Sequence, residues 1–269
     1  MPMFNPIRLE AFNPGPMTGH GNNTYLLVGS HGEGALIDAG VGDSRHLAAV
    51  GQHLGDARAR LDDILVTHAH ADHAAGAPVL LQSYAAARCR KFPWPDEDWK
   101  YAVRWEPLAD LDRLLAGSEP LVALHTPGHS PDHMVFWHEP SRTAFTGDLV
   151  AQGTSVMIQW SRGGDLGLYL GSLARVLALG PRRLLPAHGP EIAEPAALLN
   201  QYLDHRRMRE RQVLDALAHG RDTVQSIADS IYDGLDPALL PAAHENVRAH
   251  LEKLKADGLA FEQGDRWSA

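Results

Sequence analysis

The stretch VTHAHADHAAG, residues 66–76, crowds His68, His70, Asp72 and His73 into six consecutive positions directly behind the apolar run Ile64-Leu65-Val66. Such a run is poor helix and poor core. The apolar run reads as a buried strand, and the histidines follow as a loop at its tip. On an extended loop, positions i and i+2 turn to the same side, so His68 and His70 aim at one point. Asp72 and His73 are adjacent, diverge, and reach a second point nearby. The pattern H-x-H-x-D-H therefore suits two metal ions side by side.

Three later segments each end an apolar strand with one more donor: His129 in HTPGHS, Asp148 in FTGDLV and His188 in PAHGP. Any one of them alone reads more simply as a turn. Together with the histidine run they outweigh that reading. Seven nitrogen and oxygen donors without a thiolate fit zinc, two ions per chain, with iron or manganese also compatible. His68, His70 and His129 are assigned to one ion, and Asp72, His73 and His188 to the other. Asp148 is expected to bridge, because a carboxylate offers two oxygens where an imidazole offers one free nitrogen. Two ions about 3.5–4 Å apart can hold a shared hydroxide at neutral pH and clamp an oxyanion. Asp72 is the candidate catalytic residue that orients that hydroxide.

The chain has 269 residues, 44% of them hydrophobic, enough for one large domain and a small one. Cys89 is the only cysteine, which excludes an internal disulfide and points to a reducing, cytoplasmic setting. The opening residues, MPMFNPIRLE, carry no long apolar stretch, so neither a signal peptide nor a membrane span is expected. The formal net charge of -9 argues against a nucleic-acid partner, which usually needs a basic footprint. Arg88, Arg90 and Lys91 are the nearest material for a local basic groove.

The first half alternates short apolar runs with glycine-rich turns. NTYLLVGS (residues 23–30) and GALIDAG (34–40) read as neighbouring strands, RHLAAVGQHL (45–54) as a helix, and AAGAPVLLQSYAAARC (74–89) as another. LVALHTPGHS, RTAFTGDLV and RRLLPAHGP read as strands with polar tips, and DLGLYLGSLARVLALG (165–180) as an amphipathic helix closed by glycine. This order suggests the α/β class, as a layered αββα or α/β sandwich rather than one doubly wound sheet. Composition shifts near Pro195, dividing residues 1–195 from 196–269. The second part reads as three helices and a hairpin turning at Gly264-Asp265, resembling a winged-helix unit. It holds nine Lys and Arg against twelve Asp and Glu. A unit that grips a phosphate backbone should show an excess of base, so this one is expected to cover the groove or to form a homodimer contact.

The motifs resemble the metallo-β-lactamase superfamily. THAHADH is similar to its second motif, ALIDAG to its first, and TPGHS, TGD and PAHG to the third to fifth. The resemblance implies an αββα sandwich with metals at the sheet edge, the ligand roles above, and Asp38 supporting the metal loop from behind. On sequence alone Asp38 reads equally as a turn residue. NPGPMTGHGNNTYLLVG, TPGHSPDHM and HRRMRERQ, with the winged-helix-like tail, look like the β-lactamase-like protein 2 group, related to glyoxalase II. That group implies either thioester hydrolysis or cleavage of single-stranded RNA.

Candidate substrate contacts are weaker. His133 either touches substrate or caps the following strand. Asn23 and Thr24 either line the mouth or form a turn. Trp94 lies in CRKFPWPDEDWKYAVRW (89–105), which is either a lid or a loop packing its aromatics on a helix. HRRMRER reads as a solvated helix face and His125 as a core histidine. The expected activity is a dinuclear zinc hydrolase acting on a small ester, thioester or lactone-like acyl substrate. The alternative is a metal-dependent endoribonuclease, with a mononuclear iron dioxygenase third and an inert winged-helix regulator fourth. Export-type β-lactam hydrolysis and glyoxalase II proper are set aside, the first for lack of an export signal and the second for lack of basic glutathione contacts.

Overall fold

The computed structural model describes residues 4–15 and 18–269; residues 1–3, and residues 16 and 17 of the NPGPMTGHGNNTYLLVG stretch, lie outside the described residues. Six strands form the first sheet in the order β1 (Ile7–Glu10), β2 (Asn23–Val28), β3 (Glu33–Ile37), β4 (Arg60–Leu65), β5 (Arg88–Lys91) and β6 (Trp105–Pro107). The first three run antiparallel, and β3 to β6 run parallel. The second sheet has the order β11-β10-β9-β8-β7, from β7 (Arg113–Ala116), β8 (Glu119–His125), β9 (Met134–His138), β10 (Thr143–Gly147) and β11 (Arg183–Pro186).

Alternation along the strands builds three apolar layers. Between the sheets, Tyr25, Leu27, Ile37 and Leu65 meet Leu121, Met134, Phe136 and Phe145. Outside the first sheet, Leu26, Leu36 and Ile64 pack on helices α1 (Ser44–Ala57) and α3 (Ala77–Ser83) through Val50, Leu54 and Leu80; the short α2 (Ala71–Ala74) and α4 (Pro95–Asp98) lie before and after α3 in the chain. Outside the second sheet, Leu124, Val135, Ala144 and Leu184 pack on α5 (Leu166–Ala178) and α6 (Pro195–Ala218) through Leu173, Val176, Leu199 and Leu203. The result is an αββα sandwich. A fourth core joins the end of α6 to α7 (Val224–Ile231), α8 (Leu240–Ala256) and the hairpin β12 (Phe261–Gln263) and β13 (Arg266–Ser268), around Val213, Ile227, Val247, Leu251 and Trp267. Thr223 and Ser226 cap α7 reciprocally. Among the described residues no helix is long and apolar enough to cross a membrane.

Several expectations need correction. The helix expected through residue 89 stops at Ser83, and Cys89 instead pairs in β5 beside β4. Parallel pairing that buries Cys89 and Lys91 overrides the helix preference of the alanines before them. The two ends of residues 89–105 extend the first sheet, and between them Tyr101 reaches the Ala69 carbonyl of the histidine run. Of the three basic candidates, Arg88 pairs with Asp63 at 2.7 Å, Arg90 lies 4.0 Å from Asp63 and 3.9 Å from Glu106, and Lys91 is fully buried against Asp98 and Asp132. HRRMRER is not wholly solvated, because Arg206 is 1% exposed. Helix α6 begins at Pro195 and contributes Leu199 and Leu203 to the sandwich core and Val213 and Leu217 to the tail core.

Candidate metal centre

Strand β4 ends at Leu65, and the chain turns through Thr67 and His68 into His70, which precedes α2. His129 follows β8, Asp148 follows β10 and His188 follows β11. All four segments deliver their polar tips to one sheet edge, because β8, β10 and β11 point the same way. Their donor atoms fall into two groups: His68, His70 and His129, then Asp72, His73, Asp148 and His188.

In the first group, His70 Nδ1 lies 2.9 Å from His68 Nε2 and 3.0 Å from His129 Nε2. In the second, His73 Nε2 lies 3.5 Å from Asp72 Oδ2 and 3.4 Å from Asp148 Oδ1, and His188 Nε2 lies 3.5 and 3.3 Å from the same two oxygens. Donors held tetrahedrally at about 2.0–2.1 Å from zinc stand about 3.3 Å apart, so these spacings suit ligation. Asp148 Oδ2 turns to the first group, 3.6 Å from His129 Nε2. Its Oδ1 is buried and accepts no hydrogen bond, the condition of a carboxylate oxygen that requires a cation.

Protonation of the first group agrees with that chemistry. Burial, reinforced by the neighbouring imidazoles, pushes His68 well below its ordinary value. Burial lowers His70 to about 3 and also lowers His129, so all three keep lone pairs for a metal. The second group behaves oppositely. Burial opposes charge on His73, but Asp72, Asp38 and Asp148 overcome it and push the imidazole up. His188 rises to about 9 against its own burial, chiefly through Asp148. Burial would raise the Asp148 carboxyl, yet His73 and His188 hold it well below its ordinary value. These two imidazoles would have to shed their protons to bind a metal, which would then carry the positive charge that the carboxylates hold there.

Further groups behind them hold the candidate ligands in place. Asp38, in a left-handed turn with φ 60°, accepts the Thr67 N–H at 2.8 Å and faces His73 Nδ1 at 2.8 Å. His129 Nδ1 faces the Met157 carbonyl at 3.0 Å. A carbonyl only accepts, so Nδ1 carries the hydrogen and Nε2 is free to bind. Asp132 Oδ2 accepts the Ala69 N–H at 2.8 Å, and Tyr101 donates to the Ala69 carbonyl at 2.7 Å, clamping the residue between His68 and His70.

Three of the four expected substrate contacts are buried. His133 is fully buried, with its Nδ1 2.9 Å from Thr126 Oγ1 and its Nε2 accepting the Asp148 N–H; it supports Asp148 from behind and exposes no surface to a substrate. The Asn23 amide is buried and donates to Pro186 O and Gly189 O, holding the His188 loop. Thr24 faces His46 in the interior. Trp94 is half-buried and packs beside Gly163. The neighbour that sequence reasoning passed over is Asn22, whose amide donates to Asp72 Oδ2 at 2.9 Å while Asn13 holds it from the other side. Its only sequence signal is adjacency to Asn23. Asp132, Lys91 and Tyr101 carry no single-sequence signal, since their roles depend on long-range pairing.

Residues 17–188 match the family model described as the metallo-beta-lactamase superfamily, and residues 223–267 match that of the beta-lactamase associated winged helix domain. A beta-lactamase-like protein 2 homolog of Drosophila melanogaster is 34% identical over 265 residues, covering 94% of this chain and 88% of its own. An atrochrysone carboxyl ACP thioesterase of Aspergillus chevalieri is 33% identical over 235 residues, covering 84% of this chain and 72% of its own. Among solved structures, TTHA1623 in a di-iron-bound form superposes with a TM-score of 0.55 at 29% identity, covering 76% of this chain and 98% of that one.

Proposed function

The chain belongs to the metallo-β-lactamase superfamily, and on that premise we propose that it is a two-metal hydrolase of a small acyl substrate, an ester or thioester, with zinc as its working metal. The observation that carries the reading is the Asp148 carboxylate, whose two oxygens face the two donor groups. His68, His70 and His129 would hold one ion, and Asp72, His73 and His188 the other, with Asp148 shared. When bound, such a pair supplies a nucleophile from water at neutral pH and stabilises negative charge developing on the substrate oxygen.

The chain's own groups then orient and exclude. Asn22 donates to Asp72 Oδ2 and so fixes the rotation of the carboxylate that faces His73 and His188. Asp38 keeps His73 Nε2 directed into the site. The thioesterase named among the relatives supports an acyl substrate. Nucleic acid is disfavoured, because Arg88 and Lys91 are already neutralised by carboxylates. The di-iron relative makes iron the competing metal.

The test is metal analysis of the purified chain, followed by turnover of an acyl-thioester panel and of single-stranded RNA by the same preparation. About two zinc ions and thioester turnover are expected. One iron with oxygen consumption, or RNA cleavage without acyl turnover, overturns the reading.

A further inference from the structure

His129 is the one ligand of the first group whose orientation depends on a long loop. The Met157 carbonyl that fixes its Nδ1 belongs to residues 151–162, an irregular segment between β10 and α5. Gln152, Gly153, Thr154 and Ser155 are exposed, so apolar burial does not anchor the loop between Ala151 and Val156.

Its anchors come from the C-terminal helices. Tyr202 Oη on α6 lies 2.8 Å from both Ala151 O and Thr154 O and accepts the Ala151 N–H at 3.1 Å. One turn on, buried Arg206 donates to Val156 O, the residue before Met157, and to Ser155 Oγ at 3.2 Å. The i, i+4 spacing puts both side chains on one helix face. Farther along the loop, Glu245 on α8 accepts from Ser161 N–H at 3.1 Å and Oγ at 2.6 Å, and the Arg248 guanidinium lies 4.5 Å over the Trp160 ring.

We propose that Tyr202 and Arg206 are positioning residues for the metal ligand His129, acting through the loop and its Met157 carbonyl. The C-terminal helices are thereby a working part of the metal centre, although no ligand lies within them. This rests on reading His68, His70 and His129 as the ligands of one ion. An imidazole whose outer hydrogen bond is displaced loses both its tautomer and its aim, which lowers metal affinity by about 10–100-fold in comparable sites.

Tyr202→Phe tests this, because it removes the hydroxyl and keeps the ring in the core. Zinc affinity is measured on the full-length chain by chelator competition, without substrate, beside the absorption spectrum of the cobalt-loaded protein. One of the two ions is expected to weaken by about 10-fold or more, with the cobalt spectrum of that site altered and the other ion unchanged. Arg206→Met, which keeps the buried stem but removes the Nη2 donor to Val156 O and Ser155 Oγ, should weaken the same ion and serves if the first variant does not fold. Val213→Ala, in the core of the tail, controls for plain destabilisation and should keep both affinities. Wild-type affinity for both ions in both test variants, or an equal loss in Val213→Ala, overturns the inference alone. A wild-type chain that binds no pair of ions overturns the metal-centre reading and the inference with it.

Discussion

Asp148 and Asp72 both present a carboxylate to the second donor group, yet they are not equivalent. Asp148 spreads its oxygens over both groups, whereas Asp72 Oδ2 is already held by the Asn22 amide and faces one group only. Asp148→Ala should therefore lower the affinity for both ions, by at least the ~10–100-fold that loss of an outer partner costs. Asp72→Ala should spare the first ion. Metal content after dialysis separates the two, and an Asp148→Ala chain retaining both ions would remove the bridging assignment. Away from the centre, His46 is buried beside Thr24, and burial lowers it to about 4 from its ordinary 6.5. Between those values the unfolded chain takes up a proton that the native chain refuses, so stability is full above about pH 6.5 and falls as pH drops toward 4. His46→Gln should remove that dependence. Compared by denaturant unfolding in chelator, wild type should lose about 2 kcal/mol more than the variant between pH 7 and 5. Parallel pH profiles for the two proteins would sink the assignment.

At the scale of elements, the His129 loop lies against the first turns of α5. Gly128, at φ 132°, allows this: a Cβ there would stand 2.3 Å from the backbone nitrogen of Tyr169. Backbone cannot rotate aside as a side chain can, so Gly128→Ala should cost about 2–3 kcal/mol and displace His129 as well. Thermal melting and metal content should fall together; an unchanged melting point would show that the loop relaxes freely. The same loop shows what was legible beforehand. The candidate donors beyond β4, β8, β10 and β11 were readable as a set, because four polar tips on apolar strands together outweigh the turn reading that any one of them allows. The supports behind them were not. Lys91 sits in RCRK, which reads as a basic surface patch, and only the pairing of β5 between β4 and β6 turns it inward to Asp132. His133 looked like a substrate contact because it follows the HTPGHS tip by so few residues; the start of β9 instead aims its ring at the Asp148 backbone.

Across the whole molecule, charge and connectivity bear on what the centre acts upon. The net charge is -9, and the basic residues nearest the metal loop are spent on internal carboxylates, Arg88 on Asp63 and Lys91 on Asp98 and Asp132. Several basic residues of the tail are likewise paired: Lys253 with Glu210, Lys255 and Arg248 with Glu262, and Arg266 with Asp222. A polyanion would have to displace these partners or bind without them. A nuclease that neutralises several phosphates releases counterions, and its apparent affinity then falls steeply as salt rises, by about 10³–10⁵ between 50 and 200 mM for six to ten contacts. Hydrolysis of a small uncharged ester carries no such counterion release. The hydrolase reading therefore expects kcat/KM on an acyl ester to stay within about twofold across that salt range. His68→Ala should abolish the activity at every salt concentration, tying it to the metal centre. Cleavage of single-stranded RNA with the steep slope, lost in the same variant, would show that the paired cations open to a phosphate backbone and would replace the acyl substrate with a nucleic acid.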